Sequence, residues 1–155
     1  MAQASKARTA FVPPRPVKAK ARIGASLGLK STDVSTLIHA AQAGLTWTAV
    51  RKFLEATGLS QQQLATYLNV PERTFARRRE TGAFERTESE KLLRLAEIWD
   101  AALDLFDGDG TRTLSWILTP AFGLGNVSPI DYAQTEFGGR EVRALIGRLA
   151  DGVFS

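Results

Sequence analysis

The stretch that decides the fold is "QQQLATYLNVPERTFARRRE", residues 61–80. Two short helical patterns flank Asn69, and asparagine is the non-glycine residue that best tolerates a left-handed turn. Ala65 is small where the second helix must cross the first closely. Four apolar residues are spaced to fix that crossing: Leu64, Leu68, Val70 and Phe75. The pattern predicts a helix-turn-helix, the bihelical unit that docks on DNA.

The second helix of this unit carries four arginines within seven positions. In the predicted register Arg73 and Arg77 point outward, and arginine can contact guanine in the major groove through two hydrogen bonds. Arg78 falls where such motifs often have an apolar residue. A helix start such as Gln61 can hold a phosphate through its backbone N–H. The predicted DNA-binding residues are Gln61, Arg73, Thr74, Arg77, Arg78 and Arg79.

The alternative interpretation of the arginines is a solvated charged helix face. In that case Glu72 and Glu80 would pair with arginines three or four positions away. These acids are too few to pair four arginines, which favours DNA binding.

Helix signals continue on both sides of the motif, and no stretch has the period-two alternation of a strand. We therefore predict an all-α fold, with an N-terminal helix-turn-helix bundle followed by a small helical domain. Capping boxes are expected at Ser60 with Gln63 and at Thr87 with Glu90. The predicted helices cover about 32–43, 46–57, 61–68, 71–80, 87–106, 111–118, 129–138 and 140–150.

Charge is unevenly distributed along the 155 residues, whose formal net charge is +4. Residues 1–30 hold seven of the 20 basic residues and none of the 16 acidic ones. This segment is rich in alanine and proline, so we predict a disordered or extended tail. Its charge is suited to a polyanion, but the tail could equally serve only as a solubilising leader.

Composition argues against several function classes. The chain has no cysteine, which excludes disulfides, thiolate metal ligands and a cysteine nucleophile. No apolar run is long enough to span a membrane, and no signal peptide is expected, so the protein is predicted to be cytoplasmic. The single histidine, His39, has no catalytic partner at motif spacing, and "DGDG", residues 107–110, lacks the ligand pattern of a calcium loop. We predict no enzyme activity, metal or cofactor.

The C-terminal half carries a second, ordered series of motifs. They are Glu88-Ser89-Glu90, Leu92-Leu93-Arg94-Leu95-Ala96, Trp116 with Pro120, Gly123 with Gly125, Pro129-Ile130, Thr135 with Gly138, Val142 with Leu145, and Gly152. Together with Arg73-Thr74 and Arg77-Arg78-Arg79, this series resembles the Xre/MbcA/ParS-type antitoxins over about residues 32–155. Two positions depart from the family pattern. The loop reads Gly-Leu-Gly-Asn where adjacent glycines are expected, and Ala150 stands where an acidic residue is usual.

The resemblance implies an antitoxin of a type II toxin–antitoxin system. Such proteins look like homodimers that bind a RES-domain toxin, which depletes NAD⁺, and cover its active-site cleft. They also resemble repressors of their own operon. NAD⁺ would then be the substrate of the toxin and not a cofactor of this chain.

A toxin-binding surface is expected around the apolar glycine loop and at the C-terminus. The predicted contact residues are Trp116, Phe122, Leu124, Gly152, Val153, Phe154 and Ser155. Apolar groups around a glycine loop could anchor an interface, although Trp116 is better explained as core. Gly152 would free the last three residues to enter the toxin's cleft, where the terminal carboxylate could pair with arginines.

The predicted domains are a basic tail over 1–30, a DNA-binding domain over 31–86, and a toxin-binding and dimerisation domain over 87–155. A homodimer is expected, with the Thr87–Phe106 helix and its neighbours contributing to the interface, because a two-fold pair of recognition helices reads two half-sites. The alternative function is a stand-alone helix-turn-helix regulator whose C-terminal domain dimerises or senses a small ligand.

Overall fold

The computed structural model describes residues 24–29 and 33–152, and within these ranges the fold is all-α, as predicted. Its α-helices are α1 Val34–Ala43, α2 Trp47–Thr57, α3 Gln61–Leu68, α4 Glu72–Thr81, α5 Arg86–Leu105, α6 Gly110–Leu118, α7 Pro129–Tyr132 and α8 Glu136–Ala150. Short 3-10 turns cover Ala25–Leu27 and Phe122–Leu124. None of the helices in the described ranges is long and apolar enough to cross a lipid bilayer.

Capping residues set the helix starts. The box predicted at α3 is present: the Ser60 hydroxyl accepts the Gln63 N–H at 3.0 Å, and the Gln63 side chain accepts the Ser60 N–H at 2.9 Å. The box predicted at Thr87 and Glu90 is wrong by two residues. The Glu88 carboxylate accepts the N–H of Glu85 at 2.9 Å, so Glu85 is the cap and α5 begins at Arg86.

The predicted helix over 129–138 is in fact two elements, because Gly138 lies inside α8 instead of ending a helix. Thr135 caps α8, and its hydroxyl accepts the Gly138 N–H at 3.0 Å. A Cβ added at Gly138 would lie 1.6 Å from the carbonyl oxygen of Tyr132. Glycine is therefore required here for the close approach of α7 to α8, and not for a chain stop.

The core is organised around α5. Its buried apolar residues recur at helical spacing and are Leu92, Leu95, Ala96, Ile98, Trp99 and Ala102. They lie in a buried cluster that also includes side chains of α2, α3, α6 and α8, and α1 packs along the same helix. Because this face is covered by the chain's own helices, it is not available to a second copy. A dimer interface on the long helix and its neighbours, as expected from the sequence, would therefore use other faces than this one.

The predicted disordered tail over 1–30 is wrong for residues 24–29, while residues 1–23 lie outside the described residues. The turn at Ala25–Leu27 buries Leu27 against α2 and α5. Asp100 on α5 is buried, and its carboxylate accepts the Gly24 N–H at 3.1 Å. This contact holds the turn on the body of the protein.

We expect Asp100 to make the stability of the protein pH-dependent. Burial raises the pKa of Asp100 from 3.8 to about 6, although the hydrogen bond from the Gly24 N–H acts in the opposite direction. The folded protein therefore holds this proton more tightly than the unfolded chain, and its contribution to the free energy of unfolding falls as the pH rises through that range. A shift of roughly two pKa units corresponds to about 3 kcal/mol.

Asp100→Asn cannot ionise, so the wild type should lose stability relative to this variant, by up to about 3 kcal/mol, as the pH rises from about 4 to about 7. Urea denaturation across this range measures the difference. Asp104→Asn, on the exposed face of the same helix, is the matched control. A difference between wild type and Asp100→Asn that does not change with pH would contradict the expectation.

Candidate functional site

Helices α3 and α4 meet at the turn that the sequence predicts. Asn69 is left-handed, with φ 55°, and its N–H donates to the carbonyl oxygens of Ala65 and Thr66. The buried ring of Phe75 makes edge contacts with Trp47, at 6.2 Å between ring centroids, and with Phe84, at 5.6 Å. Phe75 thus anchors the inner face of α4, which leaves the opposite face to solvent.

The exposed face of α4 presents three of the four arginines. Arg73 and Arg77 are exposed, and neither is ion-paired with a described residue. Arg79 is also exposed, and its guanidinium donates to the side-chain oxygen of Gln61 at 2.9 Å. Thr74 is half-buried beside them. The structure therefore brings Gln61, at the first position of α3, next to the arginines of α4.

Arg78 differs from the other three arginines because it is turned toward α5. Its guanidinium donates to Glu88 at 3.1 Å and to Glu85 at 2.6 Å. Its side chain is only 16% exposed and that of Glu88 7%, so a buried carboxylate obtains its counter-charge. The hydrogen bonds to Glu88 raise the pKa of Arg78 above its ordinary value. The position where an apolar residue is usual is occupied here by an arginine in an ion pair, which sets Arg78 apart from the three exposed arginines of α4.

Tyr67 joins the helix-turn-helix to the C-terminal half of the chain. Its hydroxyl donates to the carbonyl oxygen of Lys91 on α5 at 2.9 Å and lies 3.5 Å from that of Ala133, after α7. Burial raises the pKa of Tyr67 to about 12. The first helix of the motif is therefore tied to both the central helix and the loop that precedes α8.

The loop after α6 is the second candidate surface. Phe122 is 82% exposed at its tip, and the Ala121 N–H donates to the Val127 carbonyl oxygen at 3.1 Å to close the loop. Trp116 is half-buried, and its ring centroid lies 6.2 Å from that of Phe106. Leu124 is only 4% exposed because it packs in the core under the loop. The expectation that Leu124 is an exposed contact residue is therefore wrong.

The predicted C-terminal contact is described only at its first residue. Gly152 is exposed, with φ 76°, and its N–H donates to the carbonyl oxygen of Leu149 at 3.2 Å. Val153, Phe154 and Ser155 lie outside the described residues.

Sequence reasoning missed Phe137, an exposed aromatic residue on the first turn of α8. Its side chain is 77% exposed, and the Arg140 guanidinium carbon lies 5.2 Å from the ring centroid. The helix break predicted at Gly138 concealed it, because that break places Phe137 at the end of one helix instead of at the start of the next. An apolar residue flanked by Glu136 and Gly138 was the only signal available in the sequence.

The remaining polar candidates have structural or solvated positions. His39 is exposed on α1, and Asp109 caps α6 by accepting the Arg112 N–H at 3.1 Å. Among the described residues, no three histidine or acidic side chains come together as a group that could hold a metal ion.

Comparisons with known proteins assign both halves of the chain. Residues 36–97 match the family model of the antitoxin Xre-like helix-turn-helix domain, and residues 101–152 match the antitoxin Xre/MbcA/ParS C-terminal toxin-binding domain. The relative named Antitoxin Xre from Yersinia enterocolitica is 33% identical over 143 residues, which cover 92% of this chain and 97% of the relative. The Antitoxin Xre of Photorhabdus laumondii is 30% identical over 131 residues, covering 84% and 88%.

We expect Arg78→Ala to destabilise the fold and Arg77→Ala to leave it unchanged. Removal of the Arg78 guanidinium leaves the carboxylate of Glu88 buried without its cation, which should cost about 3 kcal/mol of unfolding free energy. Arg77 is exposed on the same helix, so its truncation should change stability by less than about 0.5 kcal/mol. Urea denaturation of the two variants measures both values. Equal losses would contradict the distinction between the two arginines.

Proposed function

The chain belongs to the Xre/MbcA/ParS family of antitoxins, and from that premise we propose that it neutralises a RES-domain toxin and represses its own operon. It is an antitoxin of a toxin–antitoxin system, with a helix-turn-helix domain and a toxin-binding domain. The observation that carries the proposal is that the chain has both surfaces: α4 presents the exposed Arg73 and Arg77, and the stretch that matches the toxin-binding domain presents the exposed Phe122. Three parts of the proposal go beyond the family assignment: the class of toxin, the DNA target and the oligomeric state.

A RES-domain toxin is proposed as the partner because such toxins are the partners of the antitoxins that this sequence resembles. The toxin depletes NAD⁺, so NAD⁺ is its substrate, and the antitoxin acts by covering the active site. We assign the antitoxin no catalytic residue and no cofactor. Both partners and the operon DNA would meet in the cytoplasm.

The operator would be bound by the face of α4 that carries the exposed arginines. Arg73 and Arg77 would enter the major groove and contact base edges, with Thr74 beside them. Gln61 and Arg79 would hold a backbone phosphate together, because their side chains already lie 2.9 Å apart. Arg78 is omitted from the contact set because its guanidinium is paired with Glu88.

A homodimer is proposed because one recognition helix reads only a few base pairs. A two-fold pair would read two half-sites about one helical turn apart. Since the apolar face of α5 is buried within the chain, the dimer interface would lie on other surfaces.

The toxin would be contacted by Phe122 at the tip of its loop, by the exposed part of Trp116, and by the C-terminal segment from Gly152 onward. Leu124 would support the loop from below and not touch the partner.

We expect Arg73→Ala and Arg77→Ala to weaken binding to the protein's own promoter. Each loss should be about 1–3 kcal/mol and should relax specificity at one base pair, as for an arginine that contacts a base. Fluorescence anisotropy at fixed ionic strength measures it, with Arg51→Ala on α2 as the exposed control. If deletion of residues 1–23 abolishes specific binding and both arginine variants retain it, the helix-turn-helix is not the operator-binding element.

Truncation after Ala150 tests the contact made by the C-terminal segment. Asp151 and Gly152 are exposed, so the truncated protein should keep its melting temperature and its operator affinity. It should lose much of its capacity to rescue growth of cells that express the RES-domain toxin encoded beside it. Growth at equal antitoxin expression is the measurement. Full rescue by the truncated protein would place the inhibitory contact elsewhere, with the loop that carries Phe122 as the next surface to test.

A further inference from the structure

The exposure of Phe137 is unusual for a residue in so firmly held a position. In the described part of the chain, the two most exposed large apolar side chains are Phe122, at 82%, and Phe137, at 77%. Both lie in the stretch 101–152 that matches the toxin-binding domain. A single exposed apolar residue is ordinary in a folded protein, so exposure alone does not identify a contact. The rigidity of the turn that carries Phe137 supplies the second observation.

An ion pair fixes the residue before Phe137. The Glu136 carboxylate accepts hydrogen bonds from Arg94 on α5, at 3.0 Å and 3.2 Å. The Arg94 side chain is only 15% exposed and also donates to the carbonyl oxygen of Gln134 at 3.3 Å. The start of α8 is therefore held to the central helix through a largely buried guanidinium.

Two glycines fix the residues after Phe137. Gly138 packs against the backbone of Tyr132 with no room for a side chain. A Cβ added at Gly139 would lie 2.7 Å from the Arg94 side chain. With the Thr135 cap, this turn is pinned on both sides of Phe137, which points away from the body of the protein. Because the backbone that carries Phe137 is already held in place, binding through this residue orders little of the chain and costs little backbone conformational entropy.

Arg140 adds a cation to this exposed ring. Its guanidinium carbon lies 5.2 Å from the centroid of the Phe137 ring, and its side chain is 61% exposed. Its Nε lies 3.7 Å from Glu136, at the long end of an ion-pair distance, so the guanidinium remains accessible. An aromatic group beside an arginine is the composition of an interface hot spot. The complementary surface is an apolar pocket with a carboxylate at its rim.

We propose that Phe137 and Arg140 form an anchor for the toxin, in which Phe137 enters an apolar pocket and Arg140 pairs with an acidic side chain beside it. The inference rests on the proposed function, because it takes the occupant to be the RES-domain toxin. The toxin is favoured over DNA because the anchor lies outside the stretch 36–97 that matches the helix-turn-helix. It is favoured over a second copy because the anchor lies within the toxin-binding stretch.

The test measures binding of full-length variants to the purified toxin encoded beside the antitoxin. Phe137→Ala should weaken the affinity about 10-fold or more, as for a hot-spot residue. Ile38→Ala, which removes an exposed apolar side chain from α1, is the matched control and should bind as the wild type does. Arg140→Glu should weaken binding, and Arg140→Lys should retain most of it because the positive charge is kept. Melting temperature, operator affinity and sedimentation should be unchanged in Phe137→Ala.

Each contrary outcome has a distinct meaning. If Phe137→Ala binds the toxin as tightly as the wild type while Phe122→Ala or the Ala150 truncation binds weakly, the inference is wrong and the proposed function stands. If Phe137→Ala alters sedimentation but not toxin affinity, the occupant is a second copy, which also overturns the inference. If the wild-type protein does not bind the RES-domain toxin at all, the proposed function fails and the inference fails with it.

Discussion

The burial of α5 is the constraint on which the rest of the structure depends. Its apolar stripe, from Leu92 to Ala102, is covered by helices from both halves of the chain. Removal of this much apolar surface from water is the largest favourable contribution that a fold of this size has. The helix that would otherwise appear to be a connector between two domains is therefore the shared core of both. The helix-turn-helix and the stretch that matches the toxin-binding domain are consequently built on one scaffold.

A series of polar residues three positions apart along α5 attaches the other elements to this core. Glu88 pairs with Arg78 of α4, the Lys91 carbonyl accepts from Tyr67 of α3, and Arg94 binds Glu136 at the start of α8. Glu97 pairs with Arg143 of α8, and Asp100 accepts the N–H of Gly24. Three residues advance a helix by about 300°, so each member is turned by about 60° from the one before. The four side chains of the series therefore wind around the helix and reach α4, α8 and the Gly24 turn, while Lys91 contributes only its backbone carbonyl.

The attachment of α4 to α5 explains why the four arginines of α4 have different surroundings. Arg78 neutralises the buried Glu88 and holds α4 against α5, while Arg73, Arg77 and Arg79 remain exposed. The first turn of α8 is built in the same way. Arg94 and the close packing at Gly138 and Gly139 hold its backbone, and the side chains of Phe137 and Arg140 are exposed to solvent. In both places a buried polar contact orients an exposed group. A backbone held in this way has less conformational freedom to lose when a partner binds the exposed side chain.

The sequence by itself determined the local structure: the all-α class, the turn at Asn69, the capping box at Ser60 and the family. These depend on backbone conformation and on spacing within a few residues, which a linear pattern records directly. Tertiary structure alone decided that Arg78 faces Glu88, that Leu124 is core and that residues 24–29 fold onto Asp100. Each of these depends on a contact with a residue that the linear pattern does not pair with it. A guanidinium or a leucine has the same local signature in either role, and only the neighbour that the fold brings to it determines which role it takes.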